Sequence, residues 1–312
     1  CTVALGPGEI VRAGGIFLRG LAMGAADVVP GVSGGTIAFI TGIYPRLLHS
    51  LRSFDTELIR RLAGRDAVAA WRHVDGGFLL VLLAGMATGI FSLARLVAWL
   101  LRHYPQPLWS FFFGLILASA FLLMRQVPRW RGSPALALSL GAYLAVLVAV
   151  APRGEFMSGE LGVFLAGFIA VCAMILPGIS GSFILILLGM YGAALTAVEE
   201  LDLRFLLVFA AGASCGLLSF SRLLYWLLSR YRAAATALLT GFLCGSLVAV
   251  WPWKRTLAWV VDRHGELKAA WTLPVLPPEF LARTGDAPLL SACLLAAVLG
   301  FGLVRFVDCR WG

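Results

Sequence analysis

Two short stretches hold the residues best suited to chemistry. Residues 30–35 read Pro-Gly-Val-Ser-Gly-Gly and residues 177–182 read Pro-Gly-Ile-Ser-Gly-Ser, each interrupting an apolar run. Proline lacks an amide hydrogen and disfavours helix in the residue before it, while glycine admits turns and close approach. Each stretch therefore predicts a broken helix and a fresh helix start, with Ser33 and Ser180 placed to cap it. Free amides and the positive end of the dipole make a helix start an anion site. On this reading Ser33, Gly34, Gly35 and Thr36, with Ser180, Gly181 and Ser182, are the candidate anion ligands. Pro30, Gly31, Pro177 and Gly178 are the residues that break the helices. The competing reading is tight helix packing, for which membranes also use small residues.

Among the charges in or beside apolar runs, Arg95, Arg222 and Asp27 are the candidates for a role at the site. Arg95 and Arg222 each follow a serine, Ser92 or Ser219, by three residues. A guanidinium in hydrocarbon faces a cavity or a partner unless it can snorkel to the interface, and both options stand for these two. Arginine's planar fork suits a phosphate better than a point charge does. Asp27 precedes the first break, and three roles are open to it: pairing with an arginine, carrying a proton, or capping the next helix. No enzyme signature is present. The four histidines, His49, His73, His103 and His264, are scattered, so no metal site is expected. No GK[ST] follows Gly31–Gly35, which excludes a P-loop.

The elements that must position these residues are set by composition. The chain has 312 residues, 60% hydrophobic and 13% charged, against about 25% charged in soluble domains. Apolar segments fall at roughly 10–27, 32–50, 78–101, 108–124 and 135–151, then 161–176, 180–198, 203–228, 233–251 and 288–307. Several approach the roughly 20 residues that span a bilayer. The net charge of +9 comes from arginines in loops and at segment ends, which argues against nucleic acid and for topology and anionic lipid contacts. The six cysteines form no CxxC pair and read as small buried hydrophobes. Nothing near Cys1–Val11 reads as a cleaved signal.

The chain also repeats itself. PGVSGGTIAFITGIY at 30–44 and PGISGSFILILLGMY at 177–191 share seven of fifteen positions at an offset of 147. GMATGIFSLARLVAWLLRHY at 85–104 and GASCGLLSFSRLLYWLLSRY at 212–231 share nine of twenty at an offset of 127. The change in offset is absorbed by residues 52–77, a long loop in the first repeat whose counterpart in the second is short. The expected fold is an all-α polytopic membrane protein of two repeats, 1–151 and 160–312, the second with a long loop at 252–287. Each repeat has five apolar segments, or a re-entrant hairpin plus three spans; either count is odd, so the repeats insert in opposite orientations. The arginines of 52–77 place that loop, and with it both termini, in the cytoplasm.

GAADVVPGVSGGTIAFITGIY at 24–44, with ILPGISGSFILILLGMY at 175–191, resembles the bacterial and archaeal polyprenyl-phosphate transporter family. The resemblance implies an inverted-repeat fold with re-entrant helices in the bacterial cytoplasmic (inner) membrane. It implies transport of undecaprenyl phosphate, the carrier lipid of cell-envelope synthesis, with no cofactor and with a proton or sodium ion as the coupling ion to consider. The family motif falls on Asp27, Pro30, Gly31, Ser33, Gly34 and Gly35, then Pro177, Gly178, Ser180 and Gly181. The second copy departs in having Met174 opposite Asp27 and Ser182 opposite Gly35. From the residues alone, a carrier or channel for a small soluble anion and a non-transporting scaffold remain the alternatives. Oligomeric state is not legible.

The topology gives a direct test. Single cysteines at positions 60 and 200, probed with an impermeant reagent on intact cells, should label from opposite sides. Labelling from the same side removes the inverted arrangement.

Overall fold

The computed structural model describes residues 13–27, 33–127, 130, 132–151, 157, 159–261 and 267–311. Helix α1 (Ala13–Asp27) ends where the first glycine-rich stretch begins, and two short helices, α2 (Gly34–Ile40) and α3 (Tyr44–Arg52), follow. The 52–77 segment, expected as a loop, folds into α4 (Thr56–Ala63) and α5 (Ala67–His73). Asp55 and Asp66 cap these two helices, accepting from the Leu58 and Ala69 amides. Three long helices come next, α6 (Gly76–His103), α7 (Pro105–Gln126) and α8 (Ser133–Val150). The second repeat follows the same order: α9 (Gly159–Ile175), the short α10 (Gly181–Leu187) and α11 (Tyr191–Glu199), then α12 (Leu203–Arg230) and α13 (Arg232–Ser246). After an antiparallel hairpin, β1 (Lys254–Val261) and β2 (Leu267–Pro274), come α14 (Pro277–Thr284) and α15 (Leu290–Trp311).

Each of the ten apolar segments is represented. The protein is a multi-pass membrane protein with broken helices. Helices α7, α8 and α12 are each long and apolar enough to cross a membrane. The pairs α5–α6, bent by 65°, and α10–α11, bent by 117°, qualify when each is taken as one bent span. Leu136, Leu207 and Leu294 are about 70% exposed, as lipid-facing side chains are where the solvent is hydrocarbon. The α10–α11 bend and the α2–α3 break at the matching place of the first repeat have a common cause. Gly42 and Gly189, 147 residues apart, adopt left-handed backbone with φ of 74° and 75°. Each ends its short helix with the same six-to-one bond, Ile43 N to the Ala38 carbonyl (3.0 Å) and Met190 N to the Leu185 carbonyl (2.9 Å). Only glycine adopts that conformation without a Cβ penalty.

The long helices pack in four pairs, through glycines laid against main-chain carbonyls. Helices α1 and α6 run parallel: Gly85 lies on the Phe17 carbonyl and Gly89 on that of Leu21. Helices α9 and α12 repeat this, with Gly212 on Phe164 and Gly216 on Phe168. The other two pairs join the repeats. Helix α8 runs parallel to α13, with Gly241 on the Leu138 carbonyl and Gly245 on that of Ala142, and α7 crosses α15 with Gly114 on Ala297. A side chain at any of these glycines would overlap the facing carbonyl. Van der Waals contact at this range drives helix association in lipid, which offers no hydrophobic force.

One part of the 252–287 region departs from an all-α expectation. Its first half is the two-stranded hairpin, tied to the helices by tryptophans at its base. Trp251 Nε1 donates to the Val275 carbonyl (2.8 Å) and Trp253 Nε1 to that of Pro288 (2.9 Å), while Lys254 Nζ sits 4.0 Å over the Trp109 ring. The expectation of a loop here passed over the run Thr256–Val261, rich in residues that favour strands.

Gly241→Ala should destabilise the protein by about 1–3 kcal/mol, the usual cost of overpacking. Gly302→Ala, at a helical glycine with nothing within 4 Å of its Cβ position, should be neutral or slightly stabilising. Thermal unfolding of the two purified variants in detergent distinguishes them.

Candidate functional site

The two broken elements meet. Ser33 caps α2, its Oγ accepting from the Gly35 amide (3.1 Å) and donating to the Met174 carbonyl (3.0 Å) at the end of α9. Tyr44, at the start of α3, donates its hydroxyl to the next carbonyl, Ile175 (3.0 Å). Thr36 Oγ1 accepts from the Gly178 amide (2.8 Å), inside the second break. Ser33, Thr36 and Tyr44 are each at most 1% exposed. The last carbonyls of a helix have no intrahelical partner, and no water reaches them in hydrocarbon. The first repeat supplies the missing donors to the second.

Tight packing accompanies the bonding. A Cβ on Gly35 would stand 3.0 Å from both the Met174 and Ile175 carbonyl oxygens, and one on Gly178 would stand 2.9 Å from Ser246 Oγ. Gly178 also has φ of 89°, so it is fixed twice as glycine.

Asp27 takes one of its three expected roles. Its Oδ1 accepts from the Gly34 amide (2.7 Å), so it caps α2 from the preceding helix. Oδ2 is shut off from solvent and has no hydrogen-bond partner among the described residues. With the Thr36 amide bonded to the Ser33 carbonyl (2.9 Å), the amides of Gly34, Gly35 and Thr36 are all engaged within the protein.

The second start differs. Ser180 stands at the N-cap position of α10, but it does not cap a backbone amide as expected. Its Oγ pairs with Ser182 Oγ at 2.8 Å instead. Ser182 replaces the first repeat's Gly35, and its hydroxyl offers a nearer partner. The amides of Gly181 and Ser182 carry no hydrogen bond among the described residues. A shallow, half-open cleft beside them is lined by Gly178, Ile179, Ser180 and Phe183 with Ala145, Val148, Ala149, Ser246 and Ala249.

The remaining expected residues fall elsewhere. Pro30 and Gly31 lie outside the described residues, while Pro177 and Gly178 form the turn after α9. Arg95 lies within α6, with its side chain outside the described part. Arg222 is exposed on α12, and its Nη2 donates to the Phe54 carbonyl (2.8 Å), at the entrance to the 52–77 segment. Sequence reasoning missed Tyr44 as a cross-repeat donor, although Tyr44 and Tyr191 match in the repeat. It also passed over Arg19, a guanidinium-bearing residue only 7% exposed inside α1. The signal was there, since Ala166 holds the matching position of the second repeat.

Residues 23–268 match the family model described as undecaprenyl phosphate translocase-like. The chain is 47% identical over 291 residues to the polyprenyl-phosphate transporter of Vibrio cholerae serotype O1, covering 93% of this chain and 94% of that protein. It is 32% identical over 255 residues to the polyprenyl-phosphate transporter of Staphylococcus aureus, covering 76% of this chain and 85% of that protein. No solved structure matches.

The Thr36–Gly178 bond gives a test of the crossing. Thr36→Val leaves the Gly178 amide buried and unpaired, at a cost of about 1–3 kcal/mol, whereas Thr36→Ser keeps the acceptor. Thermal unfolding should show a clear loss for valine and a small one for serine.

Proposed function

The chain belongs to the undecaprenyl phosphate translocase-like family, and on that premise we propose that it moves a polyprenyl monophosphate, undecaprenyl phosphate, between the leaflets of the bacterial cytoplasmic membrane without altering it chemically. The observation that carries the reading is the crossing of two broken helices that satisfy one another's backbone at Thr36–Gly178 and Ser33–Met174. Discontinuous helices at matching places in repeats are how many secondary transporters build a midplane site. A phosphate there meets amides and hydroxyls while its prenyl tail stays in lipid. The exposed leucines of the long helices suit that tail.

The headgroup contacts are unequal in the two repeats. In the first, Asp27 and Ser33 already occupy the Gly34 and Gly35 amides. In the second, Ser180 of the Ser180–Ser182 hydroxyl pair lines the cleft, and the amides of Gly181 and Ser182, next in the chain, carry no hydrogen bond among the described residues. We assign the first phosphate contacts to the second repeat, with Ser33, Gly34, Gly35 and Thr36 shaping the opposite wall. Asp27, whose buried Oδ2 has no partner among the described residues, suits a coupling proton or sodium ion. Arg95 and Arg222 are the guanidinium contacts for the phosphate as it enters or leaves. For Arg222 this means exchanging the Phe54 carbonyl for a phosphate oxygen.

Inverted insertion of the two repeats fits the packing. Helix α8 is the fifth apolar segment of the first repeat and α13 the fourth of the second. Successive spans on a short connection run antiparallel, so the parallel packing of a fifth with a fourth supports opposite orientations. Contacts at the two ends agree with this. Arg204 pairs with Glu160 at one end, the side assigned to the exterior. Arg46 pairs with Asp75 (2.7 Å) at the other, the cytoplasmic side carrying residues 52–77.

Reconstitution with labelled undecaprenyl phosphate tests the reading. Proteoliposomes should move the label between leaflets, and excess inorganic phosphate should not compete with a lipid substrate as it would with a small-anion carrier. Arg95→Lys with Arg222→Lys should weaken substrate affinity by roughly 5- to 150-fold, the equivalent of about 1–3 kcal/mol in charged hydrogen bonds. Unchanged affinity in that double variant assigns the arginines to the interface and leaves the phosphate to the glycine–serine starts.

A further inference from the structure

The α4–α5 pair is the largest element that the first repeat has and the second lacks. Its counterpart is the turn at Glu200–Asp202, which leads directly into α12. Because the second repeat folds without such a pair, repeat packing does not account for it.

The pair is a rigid unit with an unpartnered apolar stripe. His73 Nε2 stands 3.0 Å from Asp55 Oδ1 and joins the two ends of the pair, and Arg61 Nη1 reaches the Ala69 carbonyl (3.3 Å) between the helices. The His73 contact holds the Asp55 carboxyl below its ordinary range. Ile59 and Leu62 on α4 are 67% and 56% exposed, and Val68 and Trp71 on α5 are 63% and 51% exposed. Each is an i, i+3 couple, hence one face of its helix.

Charge on this unit is distributed unevenly. Every acid is already engaged: Asp55 with His73, Glu57 with Arg60 and Arg61, Asp66 with the Ala69 amide, and Asp75 with Arg46. The guanidiniums of Arg65 and Arg72 have no partner among the described residues. Arg65 also has φ of 57°, a left-handed position that glycine or asparagine would fill with less strain. An arginine there retains its charge in spite of its backbone.

Location supplies the occupant. The pair leaves the end of α3 and returns at the first turn of α6, where the Trp71 ring lies against Gly76. The α6 helix that begins there carries Leu80 and Leu83, 60% and 58% exposed, in its first two turns. Tryptophan at the headgroup level, apolar side chains below it and arginines beside it form the pattern of a helix lying in a membrane interface.

We propose that α4–α5 lies flat in the interface of the leaflet on its side of the membrane, with Ile59, Leu62, Val68 and Trp71 among the acyl chains and Arg65 and Arg72 on the phosphates of anionic phospholipids. The pair is a lipid-headgroup-selective surface at one mouth of the protein, absent from the other. This stands independently of which substrate the central crossing carries.

Brominated lipids test it on the full-length protein. With the native cysteines replaced, Ile59→Cys, Leu62→Cys and Val68→Cys variants are labelled with bimane and placed in nanodiscs. Brominated phosphatidylglycerol should quench all three, and should do so preferentially over brominated phosphatidylcholine. Arg65→Gln with Arg72→Gln should keep the quenching but lose the preference, by about fivefold per arginine. A label at Arg60→Cys, on the polar face, should be quenched by aqueous iodide instead. Three results overturn the proposal. One is absence of lipid quenching at all three apolar positions, and another is quenching that does not distinguish the two lipids. The third is shielding from both lipid and iodide, which places a second copy or another protein on the stripe.

Discussion

Hydrocarbon offers no hydrogen bonds, and the fold is organised around that fact at one place. Two helices stop short in the buried centre of this membrane protein, and the carbonyls and amides they expose have to be matched by protein. The match is made across the repeats: Ser33 and Tyr44 reach the Met174 and Ile175 carbonyls, and Thr36 receives the Gly178 amide. An unmatched group of this kind costs several kcal/mol in lipid, so neither break is tolerable alone. The close glycine of the first stretch follows from it, because a side chain at Gly35 would meet the Met174 and Ile175 carbonyls, while Gly178 sits as closely against Ser246 and Phe242 of α13.

The same constraint makes the two copies unequal. A donor set given by one repeat to the other is not available in return, and Met174 replaces the acid that satisfies the first helix start. Asp27 and Ser33 leave the first start internally complete, whereas the Ser180–Ser182 pair leaves Gly181 without a partner among the described residues. A near-symmetric sequence therefore produces one closed and one open helix start. A carrier that presents a single headgroup site is consistent with this inequality.

Much of the fold was legible because it depends on composition and spacing. Apolar length marked the ten segments, and proline with glycine marked the breaks. Gly42 and Gly189 match in the two copies, but the bend they make was not read from that match and shows only in their φ. The site was less legible. Its partners include the carbonyls of Met174 and Ile175, which every residue type possesses and no motif reveals. Asp27 was open to three roles because its outcome depends on the position of one amide, that of Gly34. Arg222 was singled out for its cost in lipid, yet its bond to the Phe54 carbonyl depends on where α3 ends. The α4–α5 pair and the β1–β2 hairpin were concealed by mixed charge, which blurs the periodicity that marks short elements.

The glycine-to-carbonyl pairs set a schedule for synthesis. Helices α1 and α6 belong to neighbouring parts of the chain and can dock while the rest is still on the ribosome. Helices α7 and α8 cannot do the same, because their close-packed partners are α15 and α13, on the far side of the second break. Two spans therefore wait in the bilayer with bare glycine faces, since α13 starts only at residue 232 and α15 at residue 290, well past the ends of α8 at 150 and α7 at 126. During that interval the nascent chain exposes the surface that binds its own second repeat. Any other helix with small residues at the same spacing, including one from a neighbouring nascent chain, competes for it.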